Sequence, residues 1–306
     1  MVVRILGILT CVCTLLVSGL TSSASAQSFS RFKFGVAVGT DEEIRERIEP
    51  FRLYLEEVLD RPVDLFLIPT LDELTAALVN GDVDYAVLSG SAYGAASAFC
   101  GCVEPLVSAR PDVGNGRYHA VVISRRPLTM ADLAGKRLAV QDSGSTTGYR
   151  IPLANLEKQG INVREHFRTL LRVETGVDGL LAVMDGRADA SLGWSTLTGS
   201  PQTGYTAGTL NDYFLSGARG LDKLTVAWTS APLPYDAHAV RVNLPDDLKT
   251  RLKDGLLQLL GQAPDVYLAI EPDLPGGFLS VKEADYDAFK ATFGEDARKV
   301  LERPQP

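Results

Sequence analysis

The chain repeats itself, and the repeat limits what it can fold into. An apolar stretch at 74–79 leads into Asn80-Gly-Asp-Val-Asp-Tyr-Ala-Val-Leu88; another at 180–184 leads into Asp185-Gly-Arg-Ala-Asp-Ala-Ser-Leu-Gly193. Each copy reads as a helix, a glycine turn and a buried strand. Residues 32–38 and 63–68 are strand candidates ahead of the first copy, and 136–140 ahead of the second. Strand–helix–strand alternation builds a mostly parallel sheet, so one chain carries two similar α/β units.

Local signals fill in the outline. Residues 41–59 place Ile44, Ile48, Phe51, Leu55 and Leu59 on one helical face, and Pro50 within them predicts a kink or two shorter helices. Thr70 with Glu73 makes a capping box for a helix over 71–79, which Asn80-Gly81 ends before a strand at 83–88. Apolar strands at 121–124 and 237–242 flank the second unit and read as two crossings between halves. The C-terminal part then completes the first half, with helices over 246–260 and 283–301 packed on it. The expected architecture is two α/β lobes joined by a two-strand hinge, lobe 1 being 27–118 plus 236–306 and lobe 2 being 119–235. Ligands in such folds sit in the crevice at the carboxyl ends of the strands.

The N-terminus reads as a secretory signal over 1–26: Arg4 is its only charge, 5–20 is apolar, and Ala24-Ser25-Ala26 is a small-residue cleavage site before Gln27. Cys11 and Cys13 leave with it. No later segment is apolar enough to span a bilayer, so export to the periplasm without membrane insertion is expected. The signal holds one of the chain's 30 basic residues and none of its 38 acidic ones, so the mature chain carries a net charge of −9. That balance argues against nucleic acid or anionic lipid as partners.

Chemistry concentrates in Asp142-Ser-Gly-Ser-Thr-Thr-Gly-Tyr-Arg-Ile-Pro152, between the strand at 136–140 and a helix at 153–158. Small hydroxyl and glycine residues at a helix entrance leave backbone N–H groups pointing outward. Ser145, Thr146 and Thr147 add hydroxyl donors, and the positive end of the helix dipole adds field. This fits a small oxyanion held without a formal positive charge; an ordinary Ser/Thr N-cap is the alternative.

At this point the chain resembles a known group, the phosphate/phosphite/phosphonate-binding (PhnD-type) branch of the periplasmic solute-binding proteins. The markers are the Asn-Gly-Asp-Val-Asp turn at 80–84, Ser89-Gly-Ser-Ala-Tyr93, Tyr118-His119, Leu133-Ala-Gly-Lys136, Ser145-Thr-Thr-Gly-Tyr-x-x-Pro152 and the strand-ending Trp194. The resemblance implies the type II periplasmic-binding-protein fold. It also implies that Ser145, Thr146 and Thr147 hold the oxyanion from one lobe while Ser91, Tyr93 and the 89–92 loop close from the other. Relatives that take an aminoalkyl ligand have a His in the segment here reading Glu174-Thr-Gly-Val-Asp178, and acidic residues just after the tryptophan. This chain has Gly176 and Ser195-Thr196 instead, which implies a compact ligand without an amine tail.

Cys100 and Cys102 are the cysteines left after signal removal, in Phe99-Cys-Gly-Cys-Val103. In an extended segment both sulfurs project from one face and could grip one soft centre; a disulfide is the alternative in an exported protein. The pair also resembles the arsenite-sensing (AioX-type) subgroup, which implies arsenic(III) bound by Cys100 and Cys102 and a membrane histidine kinase as partner. The other reading is a substrate-binding subunit that hands phosphate, phosphite or a small phosphonate to an ABC permease.

Enzymatic function is not expected. His119, His166 and His238 lack zinc spacing, and no cofactor motif, Gly-x-Ser-x-Gly elbow or Walker loop is present. His119 reads as a hydrogen-bonded hinge residue. The Gly- and Thr-rich stretch 196–213 reads as a loop over the cleft or a partner-facing surface.

Overall fold

The sequence repeat is a structural repeat. The computed structural model describes residues 30–39, 43–125 and 128–293. The expected signal at 1–26, its cysteines and the last predicted helix beyond 293 lie outside the described residues. Among the described residues eleven strands form two sheets. The first contains β1 (Phe32–Ala37), β2 (Val63–Ile68), β3 (Tyr85–Leu88), β4 (Val103–Ala109), β10 (Ala237–Arg241) and β11 (Phe278–Ser280), in the order β11-β4-β10-β3-β1-β2. The second contains β5 (His119–Arg125), β6 (Arg137–Val140), β7 (Thr169–Arg172), β8 (Ala190–Ser195) and β9 (Leu224–Thr229), in the order β7-β6-β8-β5-β9.

Helices α1 (Ile44–Leu59), α2 (Leu71–Asn80) and α3 (Gly90–Cys100) link strands of the first sheet. Helices α4 (Ile151–Lys158), α5 (Val163–His166), α6 (Gly176–Met184) and α7 (Thr209–Leu215) belong to the second. The chain then returns, and α8 (Asp246–Gln262), α9 (Pro264–Ile270) and α10 (Asp287–Lys290) pack on α1, α3 and β4 of the first. This is the two-unit α/β arrangement that the sequence predicts.

The two repeat copies share the same chemistry. A capping box opens α2, with Thr70 Oγ1 accepting from the Glu73 N–H at 3.2 Å and Glu73 accepting from the Thr70 N–H at 3.1 Å. Thr175 and Asp178 repeat it at α6, at 3.1 and 3.0 Å. At the strand end of each copy an aspartate ties the turn to the neighbouring strand: Asp84 accepts from the Lys33 N–H at 3.0 Å, and Asp189 from the Arg137 N–H at 2.9 Å. These bonds fix the parallel register of β3 on β1 and of β8 on β6.

Two expectations are corrected. Helix α1 runs as one helix through Pro50. Its face of Ile44, Ile48, Phe51, Leu55 and Leu59 is buried against the sheet. Each such side chain contributes about 1.5–3 kcal/mol, which together outweighs the roughly 3 kcal/mol cost of an interior proline. The apolar strands at 121–124 and 237–242 are not the crossings. They are β5, which lies between β8 and β9, and β10, which lies between β4 and β3. Val121, Val122, Ile123, Ala237, Ala239 and Val240 are fully buried, as strands with partners on both sides must be. The chain passes between sheets through residues 110–118 and 230–236. There Tyr118 and Leu233 exchange backbone hydrogen bonds of 3.0 and 2.7 Å, and His119 Nδ1 donates to the Ser230 carbonyl at 2.9 Å.

Candidate functional site

Two helix starts face each other between the sheets. On the first-sheet side β3 ends at Leu88, and Ser89 caps α3 by accepting the Ala92 N–H at 3.2 Å. Gly90 follows because nothing larger fits: a Cβ there would stand 2.5 Å from the Phe289 ring. On the second-sheet side β6 ends at Val140, and Ser145 caps the next turn by accepting the Gly148 N–H at 3.1 Å. Ser145 Oγ in turn donates to Gln141 Oε1 at 2.6 Å. The turn is unusually wide, with the Arg150 N–H reaching back five residues to the Ser145 carbonyl at 3.0 Å before α4 continues. Thr146 and Thr147 therefore occupy positions whose N–H groups a helix leaves without an internal partner.

The two starts touch. Ser91 Oγ and Thr146 Oγ1 lie 2.8 Å apart, bridging elements of different sheets. Nearby, the Arg150 guanidinium lies 5.4 Å from the centre of the Phe293 ring. Around Ser91 and Thr146 is a cavity of about 270 Å³ lined by residues of both sides, among them Ser89, Gly90, Thr147 and Trp194. Tyr118 supplies an aromatic wall, its ring 5.8 Å from Trp194 and 5.2 Å from Tyr235. Burial pushes the Tyr118 hydroxyl far above its ordinary pKa, so it stays a neutral hydrogen-bonding group. Among the described residues, no lysine or arginine lines the cavity.

A carboxylate lines it too. Asp236 lines the cavity, and its carboxyl is pushed up to about 6, chiefly by desolvation among the surrounding protein atoms and then by the nearby Glu271 charge. Beneath it, His238 is fully buried, its Nε2 2.8 Å from Glu271 and its Nδ1 bonded to the Tyr85 hydroxyl.

The structure brings Ser91, Thr146, Thr147 and Trp194 together and sorts the other expected residues differently. Ser145 works from behind, shaping the turn through Gly148 and Gln141. Tyr93 is fully buried in the core, its ring 4.7 Å from Tyr286. It packs there rather than standing among the residues that line the cavity. Cys100 and Cys102 are joined to each other in a disulfide at the far end of α3. Ten residues at 1.5 Å each put them about 15 Å from the cavity end of that helix. The thiolate pair expected to hold arsenic(III) is therefore not formed, and it is not at the cavity.

Sequence reasoning missed Tyr235, Asp236 and Phe289, which come from the returning chain. A signal was present in Pro232-Leu-Pro-Tyr-Asp236: two prolines stiffen a segment that ends in a carboxylate just before a buried strand.

Comparison with known proteins bears on the family and the fold. A family model described as the periplasmic phosphonate substrate-binding protein of an ABC transporter matches residues 34–286. Among solved structures, XAC2383 from Xanthomonas citri bound to ATP is similar at 18% identity and a TM-score of 0.58, over 90% of this chain and 100% of that one. PhnD1 from Prochlorococcus marinus in complex with methylphosphonate is similar at 15% identity and a TM-score of 0.50, over 87% and 98%. Transferrin 1 from Manduca sexta reaches a TM-score of 0.59 at 13% identity, over 88% of this chain and 47% of that one. Identities this low establish a shared fold.

Proposed function

The chain belongs to the family of periplasmic phosphonate substrate-binding proteins of ABC transporters, and on that premise we propose that it captures a phosphorus oxyanion for an ABC permease. The family is one of solute-binding proteins rather than enzymes. No helix among the described residues is long and apolar enough to cross a membrane. The observation that carries the proposal is the 2.8 Å contact of Ser91 with Thr146 over a cavity whose described lining holds no lysine or arginine. Two helix starts and several hydroxyls converge there, and hydrogen bonds of that kind to a charged oxygen are worth about 1.5–3 kcal/mol each.

The lobes in this reading are 27–118 with 236–306, and 119–235, pivoting where Tyr118 pairs with Leu233. An oxyanion held by Ser91 on one side and by Thr146 and Thr147 on the other stabilises the shut state, which the permease reads. Asp236 adds a condition. An ionised carboxylate beside the anion is repulsive, so the pair is best accommodated with one shared proton, on the ligand or on Asp236.

Arsenite reported to a sensor kinase is the weaker reading. It relied on two thiolates, and the Cys100–Cys102 bridge leaves it only hydroxyl partners. Calorimetry of the mature protein with phosphate, phosphite, methylphosphonate and arsenite tests the choice. Binding of at least one phosphorus oxyanion, and loss of that binding in Thr146→Ala, is expected; affinity for arsenite alone would overturn the proposal.

A further inference from the structure

The cleft does not end at the oxyanion cavity. A second chamber of about 710 Å³ adjoins it and shares Trp194, Tyr235 and Asp236 as lining. Its outer walls are residues 270–274 from the first-sheet side and Thr196, Thr206 and Ala207 from the second-sheet loop. That loop is held in shape at some cost. Leu197 and Tyr205 adopt left-handed backbone angles, while Thr196 and Thr206 bond through their hydroxyls at 2.8 Å.

The lining of this chamber has one sign of charge. Asp112, Asp236, Glu271 and Asp273 face it, and no lysine or arginine does so among the described residues. Glu271 is the telling one. Only 9% of it is exposed, and His238 anchors one of its carboxylate oxygens from below at 2.8 Å, on a wall where an apolar side chain would be the cheaper choice. At the junction of the chambers the rings of Trp194 and Tyr235 supply aromatic surface. Carboxylates behind aromatic faces suit a bulky, weakly hydrated cation, which gains from both the charge and the ring quadrupoles.

Building on the oxyanion reading, we propose that the ligand is an extended phosphate or phosphonate ester, its head between Ser91 and Thr146 and an alkylated ammonium group in the second chamber. The sequence expectation of a compact ligand rested on Gly176 in place of a histidine and on the positions just after Trp194, where Ser195 and Thr196 carry no charge. The carboxylates of the second chamber come from distant parts of the chain instead. Phosphocholine has the required chemistry in the smallest form. Methylphosphonate has the head alone, and 2-aminoethylphosphonate a small primary amine.

Calorimetry with these three compounds, on the mature protein and on its Asp112→Asn and Asp273→Asn variants, tests the assignment. Both substitutions are at exposed positions and remove charge without changing size. The expected result is phosphocholine at least tenfold tighter than methylphosphonate and tighter than 2-aminoethylphosphonate. Each variant should lose severalfold affinity for phosphocholine while leaving methylphosphonate unchanged. Methylphosphonate or 2-aminoethylphosphonate binding as tightly as phosphocholine would overturn the second-chamber assignment and leave the oxyanion reading intact. Failure of all three to bind would overturn the second-chamber assignment, and failure of phosphate and phosphite as well would overturn the oxyanion reading.

Discussion

Thr146 and Thr147 illustrate how a neutral site can select an anion. A backbone N–H and a hydroxyl each cost little to desolvate compared with an ammonium group, yet aimed from a helix start they meet a charged oxygen with field as well as hydrogen bonds. Replacing either threonine by alanine is predicted to weaken methylphosphonate binding by about 10- to 100-fold, from the roughly 1.5–3 kcal/mol of one charge-assisted bond. The melting temperature should hold, and calorimetry with a thermal scan checks both. Asp236 carries a pH prediction. Its raised pKa, at about 6, means the neutral form is favoured in the fold, so the carboxylate gains charge as pH rises through that value. Affinity for the anion should therefore fall across that window and recover below it. An Asp236→Asn series removes this component and leaves only the ligand's own titration, so titrations of both proteins across the window separate the two.

Helix α3 links the site to the rest of the fold, and its two ends make different predictions. At the site end, Gly90→Ala puts a methyl 2.5 Å from the Phe289 ring. Overpacking of about 1–3 kcal/mol is expected, seen as a lower melting temperature together with weaker anion binding, because Phe289 also lines the cavity. At the far end, the double variant Cys100→Ser with Cys102→Ser is expected to keep its methylphosphonate affinity. Its stability should fall by less than the ~3 kcal/mol that a bridge closing about 15 residues supplies. At this scale the sequence was most readable. Capping boxes, the glycine at position 81 and the apolar periodicity of α1 are local signals, and they mark elements the structure contains. Tyr93 was read as a cleft residue from its place after a strand end, and its burial against Tyr286 is a long-range contact that no local signal carries. Pro50 was overweighted because tertiary burial of α1 is invisible to a propensity.

For the molecule as a whole, the duplication was legible and the return path was not. Two copies of helix, turn and aspartate foretold two sheets. Nothing local said that residues 235 and 236 would arrive beside residues 91 and 146, since that juxtaposition is made by the second crossing and by β10 entering the first sheet between β3 and β4. Hence the half of the site on contiguous motifs was readable, and Tyr235, Asp236 and Phe289 were not. The proposed pivot makes a prediction of its own for hydrogen exchange. Tyr118 and Leu233, whose amides are paired to each other, should stay protected with or without methylphosphonate. The 89–92 and 145–148 segments should gain protection only when it is added; equal slowing everywhere would argue against a hinge. The most direct test of the central claim is a crystal structure of the mature protein grown with methylphosphonate. The account predicts phosphonate oxygens at about 2.7–3.1 Å from donors of Ser91, Thr146 and Thr147. Phosphonate bound elsewhere, with that cavity filled by side chains or solvent alone, would contradict it.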